Sequence, residues 1–530
     1  MKRDFSRLKE GQFDLLICGG GIYGAWSAYD AALRGLKVAI VEQGDWAGAT
    51  SSASSKLIHG GLRYLESYDF KLVKKALRER QLLLRIAPHR VWPLRFGVPV
   101  YKESRVGRLQ LKLGLMIYDF LAANSLRLAG PLRKFAHHYF KRQAFARRFP
   151  ALDTTGLKGG FTYSDAQTDD ARLVLELIAG AVAAGAVCVN YCRLNSVTEQ
   201  EGQVTGATVQ NMLDDTFTEV MAQQLVYATG QWSAAAEMSR SWCRVTKGIH
   251  MVMPAVLAEE ALLLTAAADG RVFFMIPWYG LTLVGTTDTD YRGDMERVEP
   301  DESDVAYLLD AANHYLKTSW TTADVISSYA GLRVMKCSDK SSPSAVSRDW
   351  ELKTGSNGVH YSIGGKITSA REDAACIVDR VCAELGREAP CASRERLLPW
   401  APDEDYAAWF AALSAKAVRL HVDEESAKWL LRRHGKRANE ILADIENFPA
   451  LAQRITPGVP LIFADLIFCA RNEMVVHLDD LLRRRMPLII LNKFTMPELG
   501  RLAFEVSTEL GWDDSMMKRE LASCSKYAAA

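Results

Sequence analysis

A glycine-spaced turn between a strand and a helix, Gly19-x-Gly21-x-x-Gly24, limits what this chain can fold into more than any other feature. Residues 14–18 form a short apolar run that stops at Gly19-Gly20-Gly21. A helical pattern follows over about 22–34, with Gly35 set to end it, and 37–42 reads as a second strand. This βαβ start belongs to doubly wound sheets. Its glycines permit a tight turn and let backbone N–H groups approach a pyrophosphate at the positive end of the helix. Glu42 ends the second strand, where a carboxylate can accept from ribose hydroxyls. The whole unit predicts a dinucleotide site. A glycine turn with no ligand is the bland alternative, and the motif does not separate NAD from FAD.

At 530 residues the chain has room for two or three cores in all, although a single large cofactor-binding unit can absorb much of the length. A hydrophobic content of 48% and a charged content of 24% are those of an ordinary globular protein. The net charge of +2 carries no global sign of nucleic-acid binding. Ten cysteines are scattered with no C-x-x-C pair, which predicts reduced thiols rather than a zinc or disulfide framework, and no metal site is expected. The charged residues 1–11 do not resemble a secretory signal. No stretch reaches the roughly 18 apolar residues of a bilayer span. The expected location is cytoplasmic, with peripheral contact at the inner face of the cytoplasmic membrane.

Strand-like runs recur at 187–191, 204–209 and 225–230, with Glu201-Gly202 as a hairpin turn and a helix over 171–184. Short β-like runs at 272–277 and 281–287 predict a separate sheet. Residues 359–382 return to strand, Gly364-Gly365, helix, and beyond the proline-bearing linker at 390–402 the chain reads as almost entirely helical.

Several further segments carry chemistry. Residues 49–56 are dense in hydroxyls, including Thr50, Ser51, Ser52 and Ser55, and lead through Lys56 and His59 into Gly60-Gly61-Leu62-Arg63-Tyr64. By composition alone this is a polar loop, although small residues also let a backbone pass close to a long cofactor. The string T-S-S-x-S-S-K-L-I-H-G-G-L-R-Y-L-E, then Arg78-Glu79-Arg80 and Ala87-Pro88-His89, resembles the FAD-dependent, quinone-linked glycerol-3-phosphate dehydrogenases. Asp169-Asp170-Ala171-Arg172-Leu173, Ile276-Pro277-Trp278, Gly285-Thr286-Thr287-Asp288, Tyr291-x-Gly293-Asp294 and Gly364-Gly365-Lys366 extend the resemblance. Arg471-Asn472-Glu473 and Asp480-Leu481-Leu482-Arg483-Arg484-Arg485 carry it to the C-terminal part of the chain.

The resemblance implies an α/β (overall α+β) protein with three parts. A Rossmann-like FAD-binding domain of the glutathione-reductase/D-amino-acid-oxidase type would come from 1–95, 150–240 and 335–388. A β-rich substrate-capping domain would span 241–334, a basic amphipathic segment 96–149, and a helical C-terminal domain 395–530. FAD would be held by Gly19, Gly21, Gly24 and Glu42, by Thr50, Ser51, Ser52, Ser55, Lys56, His59, Gly60 and Gly61, by Ala228 and Gly230, and by Gly364, Gly365, Lys366 and Thr368. The implied reaction oxidises sn-glycerol 3-phosphate to dihydroxyacetone phosphate and passes electrons to a quinone. Removing a hydroxyl proton calls for a base, and holding a dianionic phosphate calls for cations, arginine above all. His250, Arg333 and Lys366 are the catalytic candidates, with Arg63, Tyr64 and Arg348 on the substrate. A lone histidine is more often structural than catalytic.

Four places depart from the family pattern. Tyr23 stands where asparagine is usual, Gln231 for proline, Val334 for proline, and Ser369-Ala370 for threonine and tyrosine. The last two departures would lie near the substrate and leave another polyol phosphate, such as erythritol 4-phosphate, as an alternative. An amine or amino-acid flavin oxidase is a more distant one, since such substrates do not require matched cations. Residues 105–116 alternate basic and apolar side chains, and Arg127, Arg133, Lys134, Phe135, Phe140, Lys141, Arg142, Phe145, Arg147 and Arg148 continue the mixture. This stretch is either a solvated basic face or a lipid-headgroup contact. The expected partners are therefore the phosphorylated substrate, a quinone, a membrane surface and a second copy of the chain as a homodimer; nucleic acid is not among them.

Overall fold

Five strands lie side by side and parallel, in the order His360–Ile363, Phe217–Tyr227, Gln12–Cys18, Val38–Val41 and Val187–Val189. The structure, a computed structural model, describes residues 1–66, 68–126, 136–234, 239–337 and 349–528. Parallel neighbours need crossover connections, and these cover both sheet faces, so the strands are apolar on each side. Leu15, Ile17, Val38 and Ile40 face a core shared with the helices Ile22–Leu33, Asp170–Ala183 and Ala370–Glu384. Leu16, Ala39 and Val41 face the opposite core, under the antiparallel pair Cys192–Gln200 and Gln203–Asn211. The turn of that pair carries Glu201 and Gly202 at φ 51° and 76°, the left-handed conformation of a tight hairpin.

A second, ten-stranded sheet holds Cys243–Met253, Val272–Trp278, Leu281–Gly285 and Ser327–Lys336. It also takes in Val91–Tyr101 and Leu157–Thr168, which pair antiparallel over eleven positions. Val91–Tyr101 crosses the boundary expected at 95/96, and Leu157–Thr168 lies wholly within the stretch 150–240 expected in the FAD-binding domain. The second sheet therefore draws on more of the chain than 241–334, and the stretch 96–149 begins in a strand and contains, among the described residues, three more elements, Arg108–Leu126, His138–Lys141 and Arg142–Arg148. Pairing between residues some 60 apart leaves no local trace in either segment. The C-terminal part is helical as expected, apart from one small hairpin, Arg454–Thr456 with Val459–Ile462. All ten cysteines are free thiols. Arg127, Arg133, Lys134, Phe135 and Arg348 lie outside the described residues.

Buried ion pairs join the helical part to the nucleotide sheet. Arg172, from the helix Asp170–Ala183, forms a two-pronged pair with Glu473, one prong at 2.9 Å, and both side chains are fully buried. Within the helical part Arg433 and His434 meet Asp465 at 3.1 and 2.6 Å, and within the N-terminal part His89 and Arg90 share Glu176 at 3.0 Å each. Further along, Arg484 and Arg485 both reach Asp45, just past Glu42. Ligand atoms of His434, Asp465 and Cys469 lie within 4.8 Å of one another. The guanidinium groups of Arg172 and Arg433 border that trio, which makes it a poor place for a cation.

Removing one partner leaves the other charge buried without compensation, so Glu473→Ala should cost about 3–5 kcal/mol in denaturant unfolding. Burial pushes the His434 imidazole down to about 4, and the His89 and Arg90 cations help hold the Glu176 carboxyl near about 2 against its own burial. The unfolded chain therefore binds protons first. The contribution of these two groups should be complete above pH ~6.5, fall between pH ~6.5 and about 4 as the unfolded chain protonates His434 first, and fall again below pH ~4.5 as it protonates Glu176 first. A denaturant midpoint that does not move between pH 7 and pH 5 would contradict this.

Candidate active site

The parallel register brings the C-terminal ends of four strands to one edge. Cys18 pairs with Val41 and Tyr227, and Tyr227 with Tyr361, so Gly19, Glu42 and Ala228 follow at the same level, with Gly364 two residues further along the neighbouring strand's exit. This is where open α/β sheets bind ligands. Gly19 has φ 112°, and a Cβ there would sit 2.5 Å from the Ala228 carbonyl oxygen; a Cβ on Gly24 would collide with the Gly19 carbonyl. Glycine is thus required for strand, turn and helix to close on one another. The helix Ile22–Leu33 opens without a cap from its own preceding residue, but Ser51 Oγ accepts from Ile22 N–H at 2.9 Å. Glu42 accepts from the amides of Gly20 at 2.6 Å and Gly44 at 2.9 Å. Burial raises its pKa and these two amides oppose the rise. A helix N-terminus walled by three glycines, with a carboxylate one strand away, fits the pyrophosphate and ribose of a dinucleotide.

The hydroxyl-rich loop is fixed at several points. Thr50 donates to the Leu332 carbonyl at 2.6 Å and Ser52 to the Ala49 carbonyl at 3.2 Å. The Lys56 ammonium, buried against the rings of Trp278 and Tyr329, donates to Ser52 O and Asp170 at 2.6 Å each. Its charge is therefore directed at Asp170, and it anchors the loop. His59 N–H donates to Thr368 Oγ1 at 3.2 Å, tying this loop to the third glycine turn, where Gly364 and Gly365 have φ 74° and 97°. Gly60 N–H donates to Tyr118 and Asp165, and Gly61, at φ 76°, lies against the Tyr64 ring. Lys366 Nζ stands 3.7 Å from the centroid of that ring, with Arg63 beside it on the short turn Leu62–Leu65. Ala228 N–H donates back to Cys18, and Gly230 has φ 54°.

Three strands of the second sheet assemble the remaining candidates. Cys243–Met253 lies between Leu281–Gly285 and Ser327–Lys336, with His250 opposite Gly285 and Tyr329, and Thr246 opposite Arg333. Arg333 crosses Gly248, where any Cβ would collide with its guanidinium. It donates to Thr286 Oγ1 at 2.7 Å and Thr287 O at 3.1 Å, and pairs with Asp288 at 3.3 Å. His250 is buried, stacks on Tyr329 at 5.1 Å, and shares Nε2 with Ser55 Oγ at 2.8 Å, while its Nδ1 has no hydrogen-bond partner among the described residues. Burial, and then the positive charges of Arg333 and Lys56, hold its pKa well below the ordinary histidine value. His250, Arg333 and Ser55 are thus brought together, and Lys366, Tyr64 and Thr368 form a second group. Sequence reasoning did not single out Tyr329, which stacks on the histidine and donates to Ser54 O at 3.1 Å, or Asp170 as the anchor of Lys56. Asp170 could have been found within the Asp169-Asp170-Ala171-Arg172 string.

The Ser369-Ala370 departure is packed inside the protein. Ala370 is fully buried in the nucleotide-domain core, and Ser369 Oγ bonds Asp373 at 2.9 Å. Both therefore stand behind the third glycine turn.

Comparison with known proteins agrees with this geometry. Residues 14–371 match a family described as FAD dependent oxidoreductase, and 403–517 match the C-terminal domain of alpha-glycerophosphate oxidase. A glycerol-3-phosphate dehydrogenase of Synechocystis sp. is 33% identical over 99% of this chain and 98% of its own length. The aerobic glycerol-3-phosphate dehydrogenase of Bacillus subtilis is 31% identical over 95% and 90%. The crystal structure of the glycerol-3-phosphate dehydrogenase from Bacillus halodurans, complexed with FAD, superposes with a TM-score of 0.78 at 26% identity, covering 98% of this chain and 95% of that one. With its glycine cradle and its three-strand histidine–arginine site, the chain belongs to the FAD-dependent oxidoreductases and, among them, to the glycerol-3-phosphate dehydrogenase family.

Proposed function

We propose that this protein oxidises sn-glycerol 3-phosphate to dihydroxyacetone phosphate and delivers the two electrons to a quinone. The observation that carries the reading is the placing of a neutral, buried histidine within reach of the same cation, Arg333, that suits a phosphate. FAD, held by the three glycine turns, Ser51 and Glu42, supplies the hydride acceptor. Ser55 Oγ accepting from Nε2–H of His250 leaves Nδ1 as the basic nitrogen, and Nδ1 is the ring atom with no partner among the described residues. His250 takes the substrate hydroxyl proton there, and Tyr329 and Ser55 hold the ring while it does so. Arg333, oriented by Thr286, Thr287 and Asp288, binds the phosphate together with Arg63 and Arg348. Lys366 and Tyr64 bind beside the flavin. Because Ser369 and Ala370 lie in the core, they give no reason to expect a longer polyol phosphate.

The membrane and quinone parts of the reading rest on the helix Arg108–Leu126. Its inner side buries Leu115, Tyr118 and Ala122. The outer side exposes Leu109 (81%), Leu113 (58%), Met116 (51%) and Phe120 (66%), a continuous stripe at helical spacing flanked by Arg105, Arg108 and Lys112. Among the described residues no helix is long and apolar enough to cross a membrane. The stripe instead fits the surface of an anionic bilayer, where a quinone would be met.

Anaerobic addition of glycerol 3-phosphate should bleach the bound flavin, and Arg333→Ala should abolish bleaching at concentrations that saturate the wild type. Bleaching by erythritol 4-phosphate alone would replace the substrate, and bleaching by neither would remove the assignment. His250→Gln should slow flavin reduction by about 10²–10⁴-fold. Since its pKa is depressed in the substrate-free protein, kcat/KM for flavin reduction should show no acid limb from His250 at ~6.5, where an ordinary histidine protonates; a limb in kcat/KM centred there that is lost in His250→Gln would count against the depressed pKa. Leu113→Glu with Phe120→Glu should release the protein from phosphatidylglycerol vesicles without changing flavin reduction. Unchanged co-sedimentation would refute the membrane reading.

A further inference from the structure

Tyr23 lies one residue inside the helix that opens at the first glycine turn, yet its side chain leaves that turn altogether. Its hydroxyl lies 2.9 Å from the Lys366 amide nitrogen and 2.8 Å from Asp373 Oδ2. The amide can only donate, and the phenol has a single proton. The directions are therefore fixed: Lys366 N–H donates to Tyr23, and Tyr23 O–H donates to Asp373. Asp373, in the first turn of the helix Ala370–Glu384, is fully buried. It also accepts from Ser369 Oγ at 2.9 Å and from Lys75, on the helix Phe70–Ile86 that follows the Arg63–Tyr64 turn. Burial raises the carboxyl pKa, but three converging donors, one of them an ammonium, are the surroundings of an ionised carboxylate. Burial, and then that carboxylate, keep the phenol protonated. A side chain on Gly365 would collide with the Tyr23 hydroxyl, so the glycine and the tyrosine are fitted to one another.

We propose that Tyr23 is a positioning residue for the flavin: its phenol, held by Asp373 and Lys75, locks the Gly364–Lys366 turn to the first turn of the nucleotide helix. Two departures from the family pattern thereby acquire one physical setting. An aromatic ring is absent at Ala370 and present at Tyr23, and both residues belong to the same core. The lock sets the distance between the segment that holds the pyrophosphate and the one that lies at the ring. Its consequence is expected in cofactor affinity and reduction potential before it is expected in substrate binding. This inference rests on the proposal that the Gly364–Lys366 turn contacts the flavin.

The test is Tyr23→Phe, which keeps the ring and removes only the hydroxyl. Titration of apoprotein with FAD should show a dissociation constant raised about tenfold or more, since the Lys366 amide and Asp373 each lose a partner. The flavin reduction potential should shift while KM for glycerol 3-phosphate stays within about twofold. Lys75→Met, checked by circular dichroism for an intact fold because it leaves the Asp373 carboxylate without its cation, should move both cofactor quantities in the same direction by less. If Tyr23 merely filled space, Phe would serve equally well, so wild-type affinity and potential in Tyr23→Phe overturn the inference. Lys366→Met separates the two readings. If it perturbs the flavin spectrum and potential while Tyr23→Phe does not, the lock alone fails. If it too leaves them unchanged, the turn is not at the flavin and both fail.

Discussion

Parallel strand pairing at a single register is the constraint on which the rest of the structure depends. Because Cys18 is level with Val41 and Tyr227, and Tyr227 with Tyr361, every strand of the central group stops at the same edge. The residues that follow, Gly19, Glu42, Ala228 and Gly364, are far apart in the chain and adjacent in space. A one-residue slip of any strand would reverse its two buried faces and remove its turn from the cluster. The tolerance is small, because Gly19 packs against the Ala228 carbonyl and Gly24 against the Gly19 carbonyl at separations that admit no side chain.

The second sheet solves a different problem. A base and an anion-binding arginine need rigid backbone, and here they sit on adjacent antiparallel strands with their side chains braced from both sides. Gly248 and Gly285 make room for Arg333 and His250, and Tyr329 and Ser55 fix the imidazole. The two sheets are joined where Thr50 bonds Leu332 and Ser55 bonds His250, so the loop that follows the nucleotide strand also reaches the histidine. The helical part is tied to the same edge by Asp45, three residues past Glu42, through Arg484 and Arg485. Charges so deeply buried are weak contributors to stability compared with well-packed apolar groups, but they are unforgiving of mismatch and so define one arrangement of the parts.

Much of this was legible in the chain. The βαβ start, the Glu201-Gly202 hairpin, the third strand–glycine–helix unit and the helical C-terminal part all carry local signals of period and turn chemistry, and each was observed within a few residues. What escaped was non-local. Nothing in 91–101 or 157–168 announces that these strands pair with each other, and nothing in 454–462 distinguishes a small hairpin from its helical neighbours. At the site, His250 and Arg333 could be named from their motifs, but not Tyr329, whose importance comes from strand register alone. Tyr23 was visible only as an oddity, and the packing of Ser369 and Ala370 against the core had no local signal. Helix period alone could not decide which face of 370–384 meets the core.

The electrostatics of the site bear on how such chemistry can be ordered. His250 lies near Arg333 and Lys56, and the two cations together with burial keep its imidazole neutral. Lys56 is matched by Asp170 at 2.6 Å, and Arg333 meets Asp288 at 3.3 Å and the neutral oxygens of Thr286 and Thr287. If the site takes a phosphate dianion as proposed, that dianion adds negative charge beside Arg333 and offsets the field that disfavours protonation of His250. The histidine would then become a stronger base only once substrate is bound, which is when a proton has to be taken up. The same cation would thus hold the substrate and, through its own neutralisation, make the neighbouring base ready, with no movement of the backbone.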